Sequence, residues 1–324
     1  MTLTELKYIL AVARERHFGR AAEACFVSQP TLSVAVKKLE DELNVQIFER
    51  GSSEVSITAI GEQIIAQAQR VLEQTSAIKE IAKQGKDPLA GPLRLGVIYT
   101  IGPYLLPGLV KKMIDAVPQM PLMLQEDFTL RLIERLKQGE LDVAIMALPF
   151  PESGLMVRPL YDESFVVAVP KGHHWEARAT IDADDLKRET MLLLGSGHCF
   201  RDHVLGVCPE LMRFSQSAEG IQKTFEGSSL ETIRHMVASG VGITVLPSTS
   251  VRQAGAASDV AGRKPRSDAM LSYLPFSKPV PERRVVMVWR KSFTRMAAID
   301  ALYRAVLACE LPGAETLDLP AELN

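Results

Sequence analysis

Leu3, Leu6, Ile9 and Leu10 recur at helical spacing and predict a first amphipathic helix from Leu3 to Val12. A second short helix is expected over Phe18 to Cys25. Ser28 can cap a third, with Pro30 in its first turn, where a helix tolerates proline. Leu32, Val36, Leu39 and Leu43 then share one face, and Gln29, Thr31, Ser33, Val34, Lys37 and Lys38 the other. Val45 to Arg50 and Val55 to Thr58 alternate across Gly51-Ser52-Ser53, as the strands of a hairpin do. Three helices and a hairpin make a winged helix-turn-helix whose third helix can enter a major groove. Ser28 and Pro30 start that helix, Gln29, Thr31, Ser33 and Val34 face base edges, and Arg20, Lys37, Lys38 and Arg50 reach phosphates. The competing reading is a three-helix core with a solvated face.

Beyond Thr58, Ile64, Ala68, Val71, Thr75, Ile78 and Ala82 step alternately by four and three, the heptad spacing of a coiled coil. A helix from Gly61 to Gln84 would be about 36 Å long. Its narrow apolar seam favours dimerisation over burial in a core, and a dimer implies a two-fold-related operator. Gly85 to Pro92 is a polar linker carrying Gly and Pro.

From Leu93 onward strand and helix patterns alternate: strands at 93–98, 122–126 and 141–146, helices at 103–116 and 129–138. That alternation predicts a parallel sheet with crossover helices. Further strands are expected at 164–170, 191–194, 242–247, 272–275 and 285–289. Ser228 and Glu231 have capping-box spacing for a helix running to Ser239.

The 324 residues suffice for two or three domains. A net charge of −2 gives no global attraction to DNA, so the contact must be local. The N-terminus lacks the pattern of a signal peptide and no long apolar run follows, which points to a cytoplasmic protein without a membrane partner. Four cysteines in so large a chain do not suggest a disulfide framework. Cys25 and Cys309, the latter placed in the C-terminal helix, are most simply core residues. The acidic end from Glu310 lacks Lys and Arg and is expected to be a mobile tail.

Candidate chemistry concentrates in Ser196-Gly197-His198-Cys199-Phe200-Arg201-Asp202 and the following Cys208. A helix starting after Ser196 places Cys199 in its first turn, where free amides and the helix dipole favour a thiolate. Cys208 then lies about 13 Å further along the axis. Joining the two sulfurs would require the helix to unwind, since a disulfide spans only about 4.4 to 6.8 Å between Cα atoms. Gly206 and Pro209 are its weak points. Three other readings stand beside this one: Cys208 as a small core residue, a metal site of His198, Cys199, His203 and Cys208, and a small metabolite bound near Ser228 and Ser229. A thiol peroxidase is a fourth, but the helix-turn-helix and stalk favour a stoichiometric sensor over an enzyme.

Residues 1 to 84 resemble the head and linker helix of LysR-type transcriptional regulators, in Ala21-Ala22, Ser28-Gln29-Pro30-Thr31-Leu32-Ser33, Lys38-Leu39-Glu40 and Phe48-Glu49-Arg50. The wing, with Ser52, Ser53 and Glu54, is less basic than is usual for that family. Gly227 to Thr232 and Gly240 to Pro247 are similar to the family's two-lobed, Rossmann-like effector domain of the periplasmic-binding-protein type. The whole is therefore expected to be an α/β protein with an all-α-rich winged head at 1–60, a linker helix at 61–84, a hinge at 85–92 and an effector domain at 93–309. One lobe takes about 93–162 and 269–309, the other about 163–268, and 310–324 is the tail.

Gly197 to Asp202 with Cys208, and Thr100 to Pro107, further resemble the hydrogen-peroxide-sensing members of the family. That resemblance implies a peroxidatic thiol at Cys199 and a resolving thiol at Cys208. It places Thr100, Thr129, His198 and Arg266 in the peroxide pocket. It also implies a homodimer-to-homotetramer assembly, an operator in double-stranded DNA, RNA polymerase as partner, and re-reduction by thiol reductants such as glutaredoxin. No cofactor or metal is implied. His173-His174-Trp175 departs from the family pattern without evident consequence for the thiols.

Overall fold

The computed structural model describes residues 1–50, 55–84, 89–151, 153–209, 225–251 and 270–317. They form two compact units, one built mainly from Met1–Asp87 and one from Pro88–Leu136, Glu140–Lys291 and Arg295–Asn324.

The first unit contains α1 (Leu3–Glu15), α2 (Phe18–Ala24), α3 (Gln29–Leu43), β1 (Phe48–Arg50), β2 (Val55–Ile57) and α4 (Ala59–Gln84). Thr2 and Glu5 form a reciprocal capping box on α1, which satisfies two of its orphan amides. Ser28 caps α3 by accepting from the Thr31 amide, with Pro30 in the first turn. The Glu40 carboxylate accepts the Ile47 and Phe48 amides at 2.7 and 3.0 Å and so ties α3 to the wing. β1 and β2 pair antiparallel, Phe48 opposite Ile57. A Cβ on Gly61 would lie 2.3 Å from the Ile47 carbonyl oxygen, so only glycine lets α4 start against the wing.

The seam expected for a coiled coil is divided in its use. Ala68 is buried in the core of the head, and Ile64 and Val71 pack against that core beside Leu72. Ile78, further along α4, is 66% exposed. The first half of the heptad pattern thus serves the head's own packing, and α4 starts two residues earlier than the seam suggested.

The second unit runs β3 (Leu93–Ile98), α5 (Gly102–Ala116), β4 (Leu122–Asp127), α6 (Thr129–Gln138), β5 (Val143–Ala147), β6 (Leu155–Pro170), a 3₁₀ turn (Ala183–Arg188), β7 (Leu192–Leu194) and α7 (Cys199–Val207). It continues with β8 (Phe225–Gly227), α8 (Leu230–Ala238), β9 (Thr244–Pro247), β10 (Leu271–Pro275), β11 (Glu282–Arg290), α9 (Met296–Leu307) and β12 (Ala314–Thr316). The main sheet is mixed, not parallel: β3 pairs parallel with β4 and β5, whereas β11 lies antiparallel between β5 and β6. β6 is the backbone of the unit. Up to Ser164 it pairs with β11; from Phe165 it pairs with β9 and β10, so one strand runs from one lobe into the other.

Two smaller expectations are corrected. Residues 314–316 pair with β6, so the acidic end begins as ordered strand, and residues 318–324 lie outside the described residues. Cys309 lies just past the end of α9 and is buried, with Sγ donating to the Ala305 carbonyl. Among the described residues no helix is long and apolar enough to cross a membrane.

Candidate functional site

β7 ends at Leu194 and the chain turns through Gly195-Ser196-Gly197 into α7. Gly197 has φ +97°, and a Cβ there would press on the Phe128 ring at 3.3 Å. Glycine therefore permits both the turn and the close approach. His198 is the N-cap residue of α7, but its side chain does not cap it. The Arg201 amide donates to the His198 carbonyl at 3.0 Å and so closes the first turn without a side-chain cap.

Cys199 opens α7 and Cys208 closes it as C-cap, its amide donating to the Val204 carbonyl at 3.3 Å. At the rise of an α-helix the two Cα atoms are about 13 Å apart. All four cysteines are thiols. Cys199 is half-buried, whereas Cys208 is buried in the lobe core with Phe200, Val204 and Leu205. Burial pushes the thiols of Cys25 and Cys309 up, away from the reactive form.

Three rings precede three candidate residues. Tyr99, Phe128 and His198 pack edge to face with centroids 5.3, 5.8 and 4.8 Å apart. Thr100, Thr129 and Cys199 are the next residue along each segment, so strand end, α6 start and α7 start bring them to one neighbourhood. Thr100 and Thr129 are both buried. Among the described residues the Thr129 hydroxyl has no hydrogen-bond partner, an exception among buried polar groups. Beside this cluster opens a cleft of about 490 Å³ lined by Tyr99, Phe128, Gly195, Ser196, His198, Gly227 and Ser228.

Burial lowers the His198 pKa against the opposing pull of a hydrogen bond to the Ser228 backbone. Burial thus favours the neutral imidazole over the positive charge that a protonated His198 would supply. Arg201 is directed back to the Leu194 carbonyl at 2.8 Å. Arg266 lies outside the described residues.

Among the described residues Arg283, which sequence reasoning missed, reaches the cluster through Thr100. Its Nη1 donates to the Thr100 hydroxyl at 2.8 Å and Nη2 to the Thr100 carbonyl at 3.0 Å. Its Nε donates to Glu163 at 2.6 Å, both side chains being fully buried, and its guanidinium lies over Phe200 at 4.9 Å. Glu163 also accepts from the Thr249 hydroxyl. Arg283 and Glu163 are register partners across β11 and β6. Only that register reveals them as a pair, since each alone reads as a surface charge.

Ser229, not Ser228, caps α8, accepting from the Thr232 amide at 3.2 Å. The capping-box reading placed the helix start one residue early; Glu231 instead accepts from the Tyr104 hydroxyl and Arg234. Ser228 is exposed at the cleft. His198, Cys199, His203 and Cys208 are not gathered into a metal-ligating group. His203 instead contacts the Leu148 carbonyl with Nε2 at 2.7 Å.

On the head, Gln29, Pro30, Thr31, Val34, Lys37 and Lys38 are exposed on α3 and Ser33 is half-buried. Ser28 Oγ accepts from the Thr31 amide at 3.3 Å, which gives Ser28 a capping role, and lies 2.8 Å from the Thr31 hydroxyl. Arg20 is exposed and its guanidinium donates to the Glu15 carbonyl at 2.7 Å. Lys38 lies 3.5 Å from Glu5. The side chain of Arg50 lies outside the described residues.

Comparison with known proteins adds two family matches. Residues 3–62 match the bacterial regulatory helix-turn-helix protein, lysR family, and residues 86–308 match the LysR substrate binding domain. The chain is 37% identical over 308 residues, 95% of each chain, to the DNA-binding transcriptional dual regulator OxyR of Escherichia coli strain K12. It is 39% identical over 290 residues, 90% of each, to the hydrogen peroxide-inducible genes activator of Dickeya chrysanthemi. Among solved structures, a full-length cysteine-to-aspartate variant of OxyR from Pseudomonas aeruginosa has TM-score 0.70 and 50% identity, covering 99% of each chain. A hydrogen peroxide-bound cysteine-to-serine mutant of Corynebacterium glutamicum OxyR has TM-score 0.59 and 30% identity, covering 94% of this chain and 91% of that one.

Proposed function

The chain belongs to the LysR family of bacterial helix-turn-helix regulators, and from that premise we propose that it is a DNA-binding transcriptional activator switched by hydrogen peroxide through Cys199 and Cys208. The observation that carries this reading is the placement of the two thiols at opposite ends of α7. That helix cannot hold both sulfurs in one disulfide.

The Cys199 thiolate attacks one peroxide oxygen; the O–O bond breaks, Cys199 becomes a sulfenic acid, and the departing hydroxide takes a proton to leave as water. The Cys208 thiolate then attacks the Cys199 sulfur, displacing a second hydroxide that leaves as water. Two thiols and one peroxide thus become one disulfide and two waters. Because Arg283 donates to the Thr100 oxygen, the Thr100 hydroxyl keeps its own proton to donate to peroxide. The unpartnered Thr129 hydroxyl is satisfied by the same ligand. Arg283 supplies a fixed positive charge beside Thr100.

Turnover is stoichiometric, one oxidation per switching event, with re-reduction by cellular thiols such as glutaredoxin. α3 reads the operator in double-stranded DNA through Gln29, Thr31, Ser33 and Val34, with Arg20, Lys37, Lys38 and Arg50 on phosphates. The far part of α4, where Ile78 is exposed, serves homodimer contact, two dimers make a homotetramer, and RNA polymerase is the downstream partner in the cytoplasm. The cleft of about 490 Å³ supports a second reading, in which a small metabolite between the lobes is the signal and Ser228 and Ser229 lie near it.

The test is mass spectrometry after one equivalent of peroxide, together with footprinting on a candidate promoter. A Cys199–Cys208 linkage and a footprint that changes on oxidation, but not in Cys199→Ser protein, are expected. No linkage in folded protein defeats the proposal, and a peroxide response that survives Cys199→Ser favours the metabolite.

A further inference from the structure

His173-His174-Trp175 takes no part in the chemistry above. Trp175 is buried in the lobe core and anchors the turn that follows β6. There the His173 amide donates to the Pro170 carbonyl at 3.1 Å and the Glu176 amide to the His173 carbonyl at 2.9 Å. Both imidazoles pack beside the Trp175 ring, 5.3 and 5.8 Å away, and 4.4 Å from each other. Glu189 arrives from a different segment, closing the 3₁₀ turn with its amide on the Leu186 carbonyl. The three side chains are therefore fixed by two separately anchored pieces of backbone, one of them pinned by a core tryptophan.

One Glu189 oxygen lies 3.7 Å from His173 Nε2 and the other 3.4 Å from His174 Nε2. Both distances exceed the usual hydrogen-bond range of about 2.7 to 3.2 Å. They approach the edge of a tetrahedron, about 3.3 to 3.4 Å, whose centre is a Zn²⁺ ion at about 2.0 to 2.1 Å from each ligand. One donor atom from each residue lies within 4.8 Å of the others.

We propose that His173, His174 and Glu189 bind one divalent transition-metal ion of the Zn²⁺ class, with water completing the coordination. Two imidazoles and one carboxylate are a donor set for Zn²⁺ and its neighbours, whereas Mg²⁺ and Ca²⁺ prefer oxygen alone. Burial holds His173 toward its neutral, ligating form against the opposite pull of Glu189. Ligation through Nε2 moves the His173 proton to Nδ1, so the 3.2 Å hydrogen bond from the Trp175 amide is exchanged for a metal bond. The bound ion clamps Glu189, three residues before β7 begins the path to α7, to the turn that follows β6. The proposal does not depend on the peroxide reading.

Untagged, fully reduced full-length protein is titrated with Zn²⁺ by calorimetry and with Co²⁺ by visible absorbance. One equivalent should bind, with tetrahedral Co²⁺ bands and no thiolate-to-metal charge transfer. His174→Ala, at a largely exposed side chain, and the isosteric Glu189→Gln should each weaken binding by more than about tenfold with unchanged circular dichroism. Absence of binding, binding indifferent to both substitutions, or a thiolate signature on the bound Co²⁺ would each overturn the assignment.

Discussion

Gly206→Ala should make the disulfide easier to reduce. Gly206 lies in the last turn of α7, is exposed, and has open space where a Cβ would go, so alanine costs nothing sterically. Alanine favours a helical position over glycine by about 0.5 to 1 kcal/mol. If forming the disulfide unwinds α7, that gain belongs to the thiol form only. The equilibrium then moves toward the thiols by about two- to fivefold, and the midpoint rises by about 10 to 20 mV for a two-electron couple. Gly206→Pro acts in the opposite sense: it removes an amide and crowds the preceding turn, costing the helix about 3 kcal/mol and lowering the midpoint by about 60 mV. The assay equilibrates full-length protein in graded dithiothreitol buffers, quenches by alkylation and counts the linked fraction by mass. Midpoints that do not move, or that move together in one direction, would refute the reasoning.

Arg283→Met and Glu163→Gln should each lower stability by about 3 to 5 kcal/mol, because each strands a fully buried charged partner. The double substitution should cost much less than the sum, measured by urea unfolding, and simple additivity would contradict the pairing. Phe26 is 95% exposed and sits at φ +56° in the turn before α3, a conformation that costs a side chain about 1 kcal/mol or more. Phe26→Gly should therefore raise the melting temperature of the protein's first transition, and a fall would show that the ring contributes to folding. Burial lowers the pKa of His203 as it does that of His198, so the unfolded chain binds more protons than the folded one once pH falls through the ordinary histidine value of about 6.5. The stability contribution is complete above that pH and is lost as acid is added. His203→Gln keeps a donor for the Leu148 carbonyl and should flatten the decline; an unchanged slope in urea titrations across that range would count against it.

The helical head was legible because local signals agree with the packing: Leu32, Val36 and Leu39 are the buried residues of α3, and Ser28 and Pro30 mark its start. α7 was legible from its glycine turn. The first half of β6 was not, since Pro159, Asp162 and Glu163 read as loop until β11 pairs along one edge and β12 along part of the other. The buried Arg283 was unreadable for the same reason: opposite charges cancel only across a register that no local pattern specifies. The heptad seam of α4 misled in its first half because a face apolar enough for a partner is equally suited to the head's own core. The strand at 314–316 is held by backbone pairing, which charge composition does not report.

Hydrogen exchange over residues 199–207, compared between thiol and disulfide forms of the same protein, bears most directly on the claim that joining Cys199 to Cys208 dismantles α7. The α7 amides should be protected with both thiols intact and lose that protection once the linkage is made. Equal protection in the two forms, with the linkage verified by mass, would mean that the helix survives and that the signal arises elsewhere.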